Sequence, residues 1–389
     1  MLSLNETTHI ASQICVAGAI FGTAYNVLAA ILVRRFNKAS RPEVRSTKPV
    51  TILKPLHGGE PGLFNRLVSL CRQQHGGPIQ IICGTQQIMD SANDVVRLLQ
   101  RVHPAAQIDL VIDERSRGMN PKVANLVNME AKAHNEIVVL SDSDIIVDER
   151  FVERVVAELE NSKVGAVTCL YYGIAAGGSW AQMSALNINA QFLPNVIIAL
   201  AFGAARPCFG SAIAMRSQLL KRIGGLQSYL DELADDYAIG KAVRATGLDV
   251  IVPRWAVGHA CFEYSFRSFW EHHIRSSRTI RSIDPVGYVG TVFMHPLMLS
   301  VLAAFLGAQH AIALPGIAFA SRAVLTFSVE RTFRLRHHSL WLLALHDAIS
   351  FAVFVCSFFR GPVEWRGQNY RILRDGTIER DGTIERDAN

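Results

Sequence analysis

The stretch Glu136-Ile-Val-Val-Leu140-Ser-Asp142-Ser-Asp144 decides how the middle of the chain folds. Its β-branched, apolar run has the composition of a strand buried on both faces, and two carboxylates one residue apart follow where the run ends. The same pattern recurs upstream. Val50-Thr-Ile-Leu53, Ile79 to Cys83 and Asp109 to Ile112 read as strands, and Gly62 to Gln74, Ala92 to Val102 and Pro121 to Ala133 as the helices between them. Strand and helix in alternation predict a mostly parallel α/β sheet covered on both faces. Ligands on such sheets bind beyond the carboxyl ends of the strands, which is where Asp90, Asp142 and Asp144 fall.

Outside this region the chain is apolar. Half of the 389 residues are hydrophobic and 19% are charged, and the apolar residues gather in long blocks. Ile14 to Val33 carries no charge and is long enough to cross a bilayer core. Met1 to Gln13 has no Lys or Arg, so the run is expected to be an uncleaved anchor rather than a signal peptide. Arg34, Arg35, Lys38, Arg41, Arg45 and Lys48 follow it, which puts that side in the cytosol and the N-terminus outside. Three further apolar blocks run from Val286 to Leu306, Ala311 to Val329 and Leu340 to Phe359. Arg331 to His338, between the last two, is expected to be cytosolic. Three full crossings would carry Arg366, Arg371 and Arg374 outside, so one block is expected to be interfacial or re-entrant. The first holds Pro296, and the second Pro315 and Arg322.

The net charge of +6 lies in scattered clusters with no basic helix interleaved with aromatics. That fits an anionic membrane surface or a phosphorylated ligand and argues against a nucleic-acid partner. The seven cysteines show no CxxC spacing and read as reduced structural thiols.

Four features carry candidate chemistry. Asp142 and Asp144 present oxygen ligands of the kind a hard divalent cation takes when it bridges a carboxylate to a diphosphate; a solvated acidic turn is the plain alternative. Asp235-Asp236-Tyr237 opens a helix over Ala238 to Ala245, where a carboxylate acts either as a general base or as a cap. Lys54-Pro-Leu-His57-Gly58 and Gly118-Met-Asn-Pro-Lys122 join glycines that allow close backbone approach to lysines suited to phosphate. Trp270 to Arg281, with His272 and Arg275, reads as a basic helix just before the membrane blocks.

In order along the chain these residues resemble the family-2-like GT-A glycosyltransferases and, within them, the ceramide glucosyltransferase group of family 21. The resemblance runs from about Val50 to Tyr370 and rests on Lys54-Pro-Leu-x-Gly58, Gly118-x-Asn-Pro-Lys122, Asp142-Ser, Ile223-Gly-Gly225, Asp236-Tyr237 and the closing Trp365-Arg-Gly-Gln-Asn-Tyr370. Phe192-Leu-Pro-Asn195, Arg206-Pro-Cys-Phe-Gly210 and Arg278-Thr-Ile-Arg281, with Asp284-Pro, are similar to a bacterial hopanoid-associated branch.

The resemblance implies an inverting transfer of a hexose or N-acetylhexosamine from a UDP-sugar to the hydroxyl of a membrane lipid, either a hopanoid polyol or a ceramide-like acceptor. It assigns Asp236 as base and Asp144 as ligand to Mg²⁺ or Mn²⁺. Lys54, Asp90, Lys122, Asp142, His272 and Arg275 become donor contacts. Ser276 stands where the family motif has Trp. The implied fold is a GT-A domain over residues 48–284, facing the cytosol of a bacterial inner membrane. Before it come an outer segment, 1–13, and an anchor, 14–33. After it come two to three membrane or interfacial helices, 286–359, and a C-terminal segment, 360–389. The repeat Asp375-Gly-Thr-Ile-Glu-Arg380 and Asp381 to Arg386 is expected to be a disordered tail. A processive polysaccharide synthase and a non-catalytic membrane scaffold with the same fold are the rival readings.

Overall fold

The first four strands form where the β-branched runs predict them: β1 (Val50–Pro55), β2 (Ile79–Thr85), β3 (Gln107–Ile112) and β4 (Ile137–Ser141). The computed structural model describes residues 4–36, 46–308, 311–336, 339–359, 363–365, 368–372 and 378–380. β1 pairs in parallel with β2 on one side and β4 on the other, and β2 with β3, in registers such as Ile52↔Ile81 and Val50↔Ile137. The intervening helices Leu63–Cys71, Ser91–Val102 and Pro121–Glu130 start and stop within a few residues of the expected bounds. Their caps explain the starts. Asp90 accepts from the amide of Ala92, and Asn120 accepts from those of Lys122 and Val123 with Pro121 in the first turn.

Beyond β4 the sheet changes character. β5 (Ile145–Ile146), β6 (Val164–Thr168), β7 (Leu170–Ala175), β8 (Ala212–Arg216), β9 (Asp249–Ile251) and β10 (Ala256–Cys261) follow. The main sheet runs β3-β2-β1-β4-β8-β6-β9, with β8 antiparallel to both neighbours. β5, β10 and β7 form a second, three-stranded sheet. One apolar cluster joins Ile52, Leu67, Val96, Val139 and Phe151, and another joins Leu53, Leu126, Ile213 and Val243.

The chain divides into two units. The α/β unit comprises Ala39–Gly177, Arg206–Phe262 and Gln368–Asn389; the helical unit comprises Met1–Lys38, Gly178–Ala205 and Glu263–Gly367. Of the expected catalytic span 48–284, residues 178–205 and 263–284 fall in the helical unit. Residues 178–205 pack with the membrane helices because their face is apolar: Met183, Leu186 and Ala190 cluster with Phe269, Leu342 and Leu343. In the C-terminal segment, Ile378–Arg380 of the first repeat pairs antiparallel with Gln368–Ile372, where a disordered tail was expected. Alternating β-branched and long side chains suit such pairing. The second repeat copy lies outside the described residues, as do Lys38, Arg41, Arg45, His337, His338, Arg366 and Arg374.

Three helices among the described residues are long and apolar enough to cross a membrane: Glu6–Phe36, Ser179–Ala201 and Leu340–Ser357. The second was not foreseen. The strands on either side of it in sequence, β7 and β8, both belong to the α/β unit. Of the three expected blocks, the first is Pro285–Met294 followed by Pro296–Phe305, bent by 70°. Pro296 sits in the first turn after the bend. The second, Leu314–Phe333, is one helix containing Arg322, Glu330 and Arg331, charges that lower its fitness as a span.

Arg322 is fully buried. Its Nε lies 3.0 Å from Asp347 Oδ2 and its Nη2 lies 2.8 Å from Asp347 Oδ1. A π-helical turn, Ile188–Phe192, interrupts the 179–201 helix, and the carbonyl of Ala190 within it accepts from Arg322 Nη1. A π turn shifts the helical hydrogen-bond ladder, and an inserted donor suits the carbonyl it displaces. His346 continues the network, 3.3 Å from Asp347 Oδ1 and 3.2 Å from Asn187 Oδ1. Arg322→Met leaves Asp347 buried without its cation, and is expected to cost about 3–5 kcal/mol. Thermal unfolding of the detergent-solubilised protein measures it, and the double change R322M/D347L is expected to recover part of the loss.

Candidate active site

The acidic turn after β4 owes its shape to sheet pairing on both sides. β4 delivers Asp142, and β5 pairs antiparallel with β10 in the register Ile145↔His259. That register brings His259 Nε2 to 3.2 Å from Asp144 Oδ2. Tyr171, from β7, stacks on the His259 ring at 5.1 Å between centroids. Burial alone would raise the Asp144 carboxyl, but the adjoining His259, Lys54 and Arg66 outweigh it and hold it down at about 2. His259 is driven well above its ordinary value, because the Asp144 charge overcomes the opposing effect of burial.

Asp142 meets a different cation. Lys122, in the first turn of Pro121–Glu130, lies 2.9 Å from Asp142 Oδ1 and 3.1 Å from Asp235 Oδ2. The loop before that helix is tied to residues 230–232. The amides of Met119 and Asn120 donate to the Leu230 carbonyl, and Asn120 Nδ2 donates to that of Glu232. Gly118 is needed here twice over. Its φ is +62°, and a Cβ would come within 2.6 Å of Leu230 Cβ.

Asp236 stands apart from Asp235. Asp235 is buried on Lys122, whereas Asp236 is half-buried and accepts from the amides of Gly210 and Tyr237, each at 2.7 Å. Burial and the neighbouring Asp235 charge raise its carboxyl from 3.8 to about 6, against the pull of Lys122 and the two amides. Burial raises Asp142 as well, with Lys122 opposing. The expected residues Asp142, Asp144, Lys122 and Asp236 therefore share one cluster in the α/β unit.

Lys54 has another place. It is fully buried, and its ammonium donates to Ser141 Oγ and to the carbonyls of Asp142 and Ile145. Lys54 was expected as a donor contact; in the structure it lies at an inward position of a buried strand and delivers its charge to the turn. Burial lowers it to about 8. Asp90, also buried, accepts from the amides of Gly58 and Ala92 and so clamps the loop after β1 to the start of the helix Ser91–Val102. His272 and Arg275 belong to the helical unit, on the helix Phe266–Ile283 that opens with a Ser265/Ser268 capping box. His272 Nδ1 lies 2.7 Å from Glu263 Oε1, and Ser276 Oγ donates back to the His272 carbonyl.

Three contributors escaped sequence reading. His259 carries no motif and depends on the β5–β10 register. Arg66, nearly buried, reaches the Ser143 carbonyl and Glu60. Gly210 was quoted only within a longer resemblance. A Cβ there would lie 3.0 Å from both Asp142 Oδ2 and Lys122 Nζ and 3.4 Å from Asp236 Oδ2. Among the described residues no three His, Cys, Asp or Glu side chains form a complete metal cage, yet Asp144 Oδ1 is buried with no hydrogen-bond partner. One uncommitted carboxylate oxygen suits a cation that draws its remaining ligands from a bound diphosphate. Gly210→Ala is expected to lower turnover about tenfold or more by displacing groups a few tenths of an ångström, while the unfolding temperature stays within a few degrees. Paired rate and melting measurements check both halves.

The family model for glycosyl transferase family 21 matches residues 14–378. Two curated relatives from Caenorhabditis elegans are similar. Ceramide glucosyltransferase 1 is 25% identical over 199 residues, which is 51% of this chain and 42% of the relative. Ceramide glucosyltransferase 3 is 22% identical over 222 residues, 53% of this chain and 44% of the relative. The chain thus spans less than half the length of the curated relatives it matches. Among solved structures, the mannosyltransferase PcManGT from Pyrobaculum calidifontis, in complex with GDP-Man and Mn²⁺, has a TM-score of 0.49 at 18% identity. That likeness covers 90% of this chain and 99% of the other. GalNAc-T7 with UDP, GalNAc and Mn²⁺ has a TM-score of 0.41 at 10% identity, covering 61% and 51%. With a family match running from the N-terminal apolar helix to the last described strand, the chain belongs to glycosyl transferase family 21.

Proposed function

We propose that the protein transfers a hexose or N-acetylhexosamine from a UDP-sugar to the hydroxyl of a membrane lipid, ceramide-like or a hopanoid polyol, with inversion at the anomeric carbon. The observation that carries this reading is the half-buried Asp236, a carboxyl raised to about 6 beside the Asp142–Lys122 pair in a family 21 chain. A base whose pKa sits near working pH is both ionised and able to take a proton.

In the proposed step the acceptor oxygen attacks the anomeric carbon, the bond from that carbon to the diphosphate breaks, and UDP leaves with the bonding pair. Asp236 takes the proton of the acceptor hydroxyl. The amides of Gly210 and Tyr237 hold its two oxygens in place. Lys122 binds the donor phosphates while its pairs with Asp142 and Asp235 fix its position. Asp144, with its Oδ2 held by His259, is the residue that would hold Mg²⁺ or Mn²⁺, which when bound would supply positive charge to the leaving diphosphate. Asp142 and Asp90 serve the nucleotide side, Asp90 through the Gly58 loop. His272 and Arg275 are assigned as donor contacts on the resemblance of their motif alone. The apolar helices hold the acceptor at the bilayer, and Arg34 and Arg35 in the last turn of the first helix support a cytosolic α/β unit in a bacterial inner membrane.

Asp236→Asn is expected to abolish turnover and keep UDP-sugar affinity; equal loss of both removes the base assignment. Because the folded protein raises this carboxyl, its charged form costs stability above the unfolded value, so the variant is expected to melt no lower than wild type. For wild type, kcat/KM is expected to be level above pH 6 and to fall as pH drops through about 6, when Asp236 takes up a proton. A limb near pH 4 argues against it. Asp144→Ala is expected to erase the metal dependence of UDP binding, measured by calorimetry with Mn²⁺ and with EDTA.

A further inference from the structure

Nearly every acceptor in the turn from Ser141 to Ile145 is already committed to the protein. Lys54 Nζ lies 3.2 Å from Ser141 Oγ and 3.2 Å from the Ile145 carbonyl, and also donates to the carbonyl of Asp142. Arg66 Nε donates to the Ser143 carbonyl at 2.8 Å, and its Nη2 pairs with Glu60 Oε2 at 2.7 Å. Glu60 Oε1 in turn accepts from Ser143 Oγ at 2.7 Å. The Asp144 carbonyl accepts from the amide of Ala260 at 2.9 Å. On the side chains, Lys122 pairs with Asp142 and His259 with Asp144 Oδ2. In this turn, among the described residues, Asp144 Oδ1 is the one buried side-chain oxygen without a partner.

An ammonium group has three N–H donors, and Lys54 has three acceptors in the turn. It is also fully buried, so reaching a phosphate would require it to leave all three. Both buried cations make their hydrogen bonds in the turn to its carbonyls and the Ser141 hydroxyl rather than to its carboxylates, on which they act only through space. They fix the path of residues 141–145 and satisfy carbonyls that would otherwise be buried without donors.

We propose that Lys54, with Arg66 beside it, is a positioning residue of the acidic turn and not a phosphate ligand: by binding the turn's backbone it leaves Asp144 Oδ1 as the oxygen held ready for a divalent cation. The proposal rests on the reading of this turn as the donor and cation site. Arg66 serves the same end from the helix Leu63–Cys71, with Glu60 locking its guanidinium in place.

The test uses the full-length protein in detergent, with UDP as probe and binding followed by calorimetry across a Mn²⁺ titration and again in EDTA. Lys54→Met is expected to raise the Mn²⁺ midpoint for UDP binding by about tenfold or more, with UDP affinity in EDTA about unchanged. Ser141→Ala removes one partner of the ammonium and the bond to the Ser211 carbonyl, is expected to fold, and is expected to shift the midpoint about fivefold in the same direction. It decides the question if the lysine variant does not fold. Equal weakening with Mn²⁺ and with EDTA makes Lys54 a phosphate ligand and overturns the proposal, as does an unshifted midpoint in both variants. If wild type itself binds UDP equally with and without Mn²⁺, the cation reading of the turn fails and the proposal falls with it. An unshifted variant beside a metal-dependent wild type overturns the proposal alone.

Discussion

The site is organised by the need to keep several carboxylates charged in a small, half-buried volume. Asp142, Asp144, Asp235, Asp236 and Glu60 arrive from different parts of the chain. Lys122, His259, Lys54 and Arg66 are the cations set among them. Removing a charge from water costs several kcal/mol unless a partner is close, so each carboxylate's place follows from the cation assigned to it. Lys122 carries the heaviest duty. It ties the start of one helix to the end of β4 and to the start of the Asp235–Ala245 helix, three segments far apart in sequence.

Within that arrangement the acids are made unequal. Asp144, beside His259 and near two buried cations, is held ionised over the whole working pH range. Asp236, next to Asp235 and supported mainly by backbone amides, sits close to neutrality. One residue type thus supplies both a permanent anion and a group that can exchange a proton, with environment setting the difference.

The helical unit solves a related problem where water is scarce. Arg322, Asp347, His346 and Asn187 satisfy one another, and a π-helical turn offers the carbonyl that takes the remaining guanidinium donor. Such a network is a poor source of net stability, but it penalises any helix register that separates its members. That gives a physical reason for charged residues inside otherwise apolar helices: they fix how Leu314–Phe333 and Leu340–Ser357 pack against the 179–201 segment.

Much of this architecture is local and so was readable in the chain. Strand composition placed β1 to β4, and the stretches alternating with them placed the helices between. Long uncharged runs marked the first and last candidate spans, and the spacing of Asp142, Asp144, Lys122 and Asp236 within motifs marked the cluster, because each signal lies within a few residues of the structure it governs. What lay beyond local reading depends on pairing across long separations. The antiparallel insertion of β8, the β5–β10 register that joins His259 to Asp144, and the grouping of 179–201 with the helical unit belong here. So does Lys54: its motif marks it as a phosphate-binding lysine, and only its inward position on a buried strand turns its charge onto the turn's backbone. A sequence lists which charges are present; the fold determines which of them meet, because burial and distance set the energy of each pair.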